Sequence, residues 1–302
     1  MLVETERQPQ GPPARVVTVF LAGSECPYTC VFCDLWRYTL DQPTPPGAIP
    51  AQIERALERV ATELSPQAEL SPKAHLKLYN ASNFFDPRAV PPEDDAAIAA
   101  LCRGFSRVIV ECHPRLVGER CFDFAERLDG ELQVAMGLET VHPDAQPRLG
   151  KQATLDDFAT AARRLGEHGI SWRAFVLVGA PYVGAGESVE SAVRSASWAF
   201  EHGAEHVTLI PVRGGNGEME RLAREGHFER PTLAQLEAAL EQSLDLIAGP
   251  GAGAVTVDTW DLEKLAECEA CQPPRTHRLD RYNAGDDLGS RPACIACRPD
   301  CE

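Results

Sequence analysis

Six short apolar runs alternating with helical patterns, in a chain of 302 residues, predict an α/β fold. Two groups of cysteines flank that alternation, so the expected form is a partial (β/α)6 TIM-like barrel with a small C-terminal Cys-rich metal module. The runs lie at 16–21, 76–79, 108–110, 132–138, 175–178 and 207–210. They are rich in Val, Leu and Ile and nearly continuous, as parallel strands covered on both faces are.

Between the runs, 50–64 repeats apolar residues at helical spacing. The segment 92–102 opens with Glu93, Asp94 and Asp95, acids suited to a helix N-terminus. Thr154 with Asp157 resembles a capping box ahead of 158–168, and Thr232 with Gln235 caps 233–248. The amphipathic stretch 188–202 stops at Gly203. Residues 1–12 are polar and Pro-rich and are expected to form a mobile tail. The run GPGAGA at 249–254 marks a boundary between a barrel over 13–248 and a metal-binding module over 255–302. No internal repeat is present.

Charge narrows the function. The chain has 29 Lys and Arg against 45 Asp and Glu, a formal net charge of −16. That argues against a nucleic-acid binder held by a broad basic surface. No apolar run reaches the roughly 18 residues of a spanning helix. The opening residues lack the charged-then-apolar pattern of a signal peptide. A cytoplasmic protein without membrane contact is expected, and there 11 cysteines point to metal or catalysis rather than to disulfides.

The first cysteine group, Cys26-x3-Cys30-x2-Cys33, follows the first run directly. One loop can turn three such thiolates to a common centre, as iron–sulfur clusters require. Three ligands on a four-iron cluster leave one iron open to a substrate or cofactor. The alternative is structural zinc completed by a distant fourth ligand. Cys102, Cys112 and Cys121 stand apart and read as buried thiols.

This loop, placed after a first barrel strand, resembles the radical S-adenosylmethionine (SAM) superfamily. The resemblance implies a [4Fe-4S] cluster whose open iron chelates SAM. It also implies reductive cleavage of SAM to a 5′-deoxyadenosyl radical that abstracts hydrogen from substrate, and an electron donor such as flavodoxin or ferredoxin. By the same resemblance Phe32 lies beside the adenine. Asn80 or Ser82, in YNASNFFDP, stands where the superfamily's Gly-Gly-Glu segment receives the SAM amino group; that segment is missing here. Glu139 would hold the ribose hydroxyls or the amino group, and Arg173 the SAM carboxylate. The segments YNASNFFDP, VECHPR, GLET and LIPVRGGNG resemble the archaeosine synthase radical SAM subunit group, related to the catalytic subunit of elongator. That likeness implies a modified, deazaguanine-type base in tRNA as substrate.

The second group pairs Cys268-x2-Cys271 with Cys294-x2-Cys297, and Cys301 follows. Two such knuckles enclose tetrahedral zinc, and five cysteines equally allow an auxiliary [4Fe-4S] cluster. Between them Arg275, His277, Arg278 and Arg281 form a basic stretch, read as a solvated face rather than an anion receiver. Two further readings stand beside the tRNA one. The first is a radical SAM enzyme on a free, nucleoside-like small molecule or a peptide. The second is a non-catalytic iron–sulfur or zinc protein.

Overall fold

The computed structural model describes residues 1–63, 74–247, 249 and 253–296. Cys297 and Cys301, and the expected helix ends Leu64 and Ala248, lie outside the described residues. One sheet takes eight strands in chain order: β1 (Leu2–Glu6), β2 (Ala14–Leu21), β3 (His75–Asn80), β4 (Arg107–Glu111), β5 (Glu131–Glu139), β6 (Ser171–Val178), β7 (His206–Pro211) and β8 (Ala254–Val257). From β2 to β8 all neighbours are parallel, and β1 runs antiparallel to β2. The sheet curls into a half-barrel whose edges, β1 and β8, do not pair with each other among the described residues.

Helices fill the crossovers: α1 (Ala48–Glu63), α2 (Asp95–Leu101), α3 (Glu119–Arg127), α4 (Leu155–Glu167), α5 (Ser188–Glu201), then α6 (Glu218–Arg224) and α7 (Leu233–Leu244) before β8. Thr154 and Thr232 accept the N–H groups of Asp157 and Gln235, so both expected caps form.

Side-chain alternation along the strands separates core from cavity. Val17, Val19, Leu76, Leu78, Val134, Met136, Ala174, Val176, Val207 and Leu209 belong to the main hydrophobic core. Their neighbours Thr18, Phe20, Lys77, Tyr79, Ala135, Gly137, Arg173, Phe175, Thr208 and Ile210 line a cavity on the other face. Both faces of the strands are covered, which is why the runs read as continuous.

Two expectations are corrected. The segment expected to be a mobile tail contains β1, and Glu6 is buried. Its carboxylate receives Arg173 Nη1 at 2.9 Å and Nη2 at 3.1 Å, and Lys77 Nζ at 2.5 Å. The expected boundary also shifts, because Ala254–Val257 pairs with β7 and belongs to the sheet. Beyond it, among the described residues, lie a 3-10 turn at Leu262–Leu265 and the helix α8 (Gln272–Asn283).

Candidate functional site

The Cys26–Cys33 loop leaves the C-terminal end of β2 and is pinned from both sides. Val31 N–H donates to Leu149 C=O at 2.9 Å. Asn216 Nδ2 donates to Val31 C=O at 2.8 Å and to Cys33 C=O at 3.1 Å. Asn216 sits in the LIPVRGGNG segment, where its side-chain amide is the anchor. Gly150 has φ +75°, and a Cβ there would stand 2.6 Å from Thr29 C=O. Glycine is what lets segment 149–151 press against the loop. Inside the loop, Tyr28 stacks on His113 at 3.7 Å between centroids. Burial lowers the His113 pKa to about 4, so the ring is neutral. Its Nδ1 accepts Arg115 N–H, which leaves Nε2–H to donate to Lys151 C=O at 3.0 Å.

Cys26, Cys30 and Cys33 all border one cavity of about 490 Å³, a volume suited to a drug-sized ligand. Asn83 Nδ2 lies 3.3 Å from Cys26 Sγ. Burial pushes the Cys30 thiol up to about 12, against the pull of Lys151. Thiolates there need a metal to displace their protons.

Phe32, Ser82, Glu139 and Arg173 also line this cavity; Asn80 does not. Ser82 Oγ is buried with no hydrogen-bond partner in the described protein, so it presents an unspent polar group to a ligand. Asn80 has both amide atoms unpaired, but it is buried on the face away from the cavity.

Glu139 ends β5 beyond an irregularity in the β5–β6 register, with φ +65°. A non-glycine residue in that region signals a conformation held by its surroundings. The holder is Lys151, whose Nζ lies 2.7 Å from Glu139 Oε1. Gly137 makes room: a Cβ there would collide with Glu139 Oε1 and stand 2.7 Å from Lys151 Nζ. Lys151 was missed in the sequence, where only its place after Leu149-Gly150 hints at it. Glu111, at the end of β4, also lines the cavity. Burial raises its pKa to about 8, against Lys151 and with the help of Glu139.

Arg173 stands elsewhere. It is the third residue of β6, in register with Ala135, and lies three residues before Val176, the register partner of Glu139, or about 10 Å along the strand. Its guanidinium is taken by Glu6 and by Gln133 Oε1 at 2.7 Å. It builds the cavity floor, and the cation beside the cysteine loop is Lys151.

In the C-terminal group, Cys268, Cys271 and Cys294 bring their sulfurs within 4.8 Å of one another, the one such trio of His, Cys or acidic residues among the described residues. Cys268 and Cys294 Sγ are 3.8 Å apart. The basic stretch between the knuckles is no solvated face at Arg275 and Arg278: both are buried and paired with buried Glu237 of α7, at 2.7 and 3.0 Å. Cys102, Cys112 and Cys121 are buried, and burial pushes the Cys112 thiol well up.

Archaeosine synthase subunit beta of Methanosarcina acetivorans is 25% identical over 263 residues, 80% of this chain and 73% of that protein. Methanocaldococcus infernus Elp3 aligns with a TM-score of 0.59 at 12% identity, over 88% of this chain and 63% of its own. A radical SAM methyltransferase from Sphaerobacter thermophilus aligns with a TM-score of 0.53 at 17% identity, over 81% and 66%. The chain has the fold of the radical SAM enzymes. It spans less than two thirds of the Elp3 chain it matches. No protein-family model matches it. In this fold the barrel mouth at the C-terminal strand ends is the place for chemistry. Here that mouth holds the cysteine loop, Ser82, Glu111 and Glu139. No helix among the described residues is long and apolar enough to cross a membrane.

Proposed function

We propose that this chain is a radical SAM enzyme in which Cys26, Cys30 and Cys33 hold a [4Fe-4S] cluster. The carrying observation is the pinned three-thiol loop at the rim of a cavity that also offers Ser82 Oγ, Glu139 and Lys151. A cluster held by Cys26, Cys30 and Cys33 would supply one-electron reductive cleavage of SAM and, through it, hydrogen abstraction from the substrate. The protein's share is position and shelter. Phe32 borders the place for the adenine, and Ser82 takes the SAM amino group in preference to Asn80, which faces away. Glu139 and Lys151 offer opposite charges to a zwitterionic amino acid. Asn83 donates to Cys26 Sγ, and hydrogen bonds to sulfur tune cluster potentials. The test is anaerobic reconstitution followed by dithionite and SAM. Formation of 5′-deoxyadenosine is expected, with none from Cys30→Ala; undiminished product in that variant refutes the cluster assignment. Reduced flavodoxin or ferredoxin is expected to replace dithionite.

For the substrate we propose a deazaguanine-type base of tRNA, supported by the likeness to archaeosine synthase subunit beta. A free nucleoside-like molecule is the second reading, favoured by the net charge of −16. Binding of bulk tRNA that falls steeply with salt supports the first, and no shift at low salt supports the second.

At the C-terminal trio we propose zinc rather than an auxiliary cluster. Tetrahedral zinc with bonds of about 2.3 Å sets its sulfurs about 3.8 Å apart, and Cys268 and Cys294 stand at 3.8 Å. Thiolates on separate irons of a cluster are spread more widely. Cys297 or Cys301 would complete the site. One zinc per chain, with iron only at the first group, is the expected metal content.

A further inference from the structure

Helix α8 joins the two sheet edges that do not pair with each other. On the β8 side, Asn283 Oδ1 accepts Val257 N–H at 3.1 Å and its Nδ2 donates to Val257 C=O at 2.7 Å. On the β1 side, Arg7 donates its N–H to Asn283 C=O at 2.6 Å and its Nε to Tyr282 C=O at 3.0 Å. The Arg7 guanidinium also bonds Asp286 C=O and lies 4.2 Å over the Tyr282 ring. Gly285, at φ +109°, turns the chain so closely under Pro13 that a Cβ would overlap the proline ring. Asn283 itself lines the cavity, beside Asp258 and Trp260 of the loop after β8. The end of α8 is therefore a side wall of the chamber.

Little apolar burial holds that wall. The buried residues of α8 are Arg275, Arg278, Leu279 and Tyr282, only two of them free of full charge and large enough to count as core. The Arg275 and Arg278 pairs with Glu237 secure the middle of the helix. Its start is Cys271, the cap residue, with Cys268 just before it. The chain after α8 returns past Arg278, which donates to Gly289 C=O at 2.9 Å, and delivers Cys294 to the same point. A metal there closes a loop, 268–294, that contains the whole helix, and a segment with so small a core depends on such a staple.

We infer that metal held by Cys268, Cys271 and Cys294 controls how tightly α8 seals the seam between β1 and β8, and so governs lateral access to the chamber. The inference rests on the metal-site reading above and is independent of the reaction. The test compares full-length reduced protein, loaded with zinc or stripped by chelator, by hydrogen–deuterium exchange. Without zinc, amides of Leu2–Glu6 and Ala254–Val257 exchange at least about tenfold faster while those of β4 and β5 hold, the mark of a local opening. Zinc-loaded Asn283→Ala, which removes both side-chain bonds to Val257 and keeps the backbone bond to Arg7, accelerates Ala254–Val257 with its zinc retained. Equal protection of the edges with and without zinc overturns the inference, as does equal acceleration of all strands. Failure of the protein to bind zinc overturns it at the metal. Asn283→Ala with Ala254–Val257 still protected overturns it at the seam.

Discussion

Lys151 Nζ sits 2.7 Å from Glu139 Oε1, and both side chains are largely buried beside the cysteine loop. Removing one partner strands the other charge. Lys151→Met is expected to destabilise the fold by about 3 kcal/mol, as broken buried pairs do. It should also weaken SAM binding to the reconstituted protein more than tenfold. Urea unfolding and calorimetric titration measure the two effects. Adding Glu139→Gln should restore much of the stability and none of the SAM affinity.

Gly137→Ala is a smaller change with the same target. Its methyl group would occupy the space of the Glu139–Lys151 pair. Loss of SAM affinity comparable to that of Lys151→Met is expected, in a protein whose circular dichroism is unchanged.

Arg173 separates floor from mouth. Arg173→Met leaves Glu6 with Lys77 alone and should cost about 3 kcal/mol in urea unfolding. SAM affinity should stay within about threefold of the parent, since Arg173 lies three β6 positions below the level of Glu139 and its guanidinium is held by Glu6 and Gln133. A SAM defect larger than the stability defect would return Arg173 to the role of carboxylate ligand.

Two carboxyls give opposite pH signatures. Burial pushes the Glu6 pKa up, but Arg173 and Lys77 outweigh it and hold the group well below 4.5. Its stabilisation is therefore present at neutral pH and is lost as pH falls below about 4.5 through the folded value. Glu111 is raised to about 8, so its contribution is full below about 4.5 and is lost as pH rises towards 8. Glu111→Gln should flatten stability between pH 5 and 8, and Glu6→Gln should flatten it below pH 4.5. Unfolding midpoints across pH decide both.

The strands were legible because helices cover one face and the cavity wall the other, so 76–79 or 207–210 reads as an apolar run without distant information. β1 was not legible. Its Glu4 and Glu6 read as tail polarity, and the partner that buries Glu6 lies 167 residues away at Arg173. Arg173 was visible as an inward cation, but its height in the barrel depends on register. The cysteine loop was plain from spacing, whereas its anchors were not: Asn216 reaches distant carbonyls with its side-chain amide and Gly150 allows a close backbone approach, and neither leaves a local pattern. Lys151 was hidden for the same reason, being placed by Gly150 against the loop.

The position of Glu6 bears on how this protein is handled. A truncation that trims the first dozen residues as a dispensable leader would strip an edge strand from the sheet. It would also leave Lys77 and Arg173 facing each other without a counter-ion in the chamber floor. Such a protein should express poorly or aggregate, and an affinity tag belongs where it does not disturb Leu2.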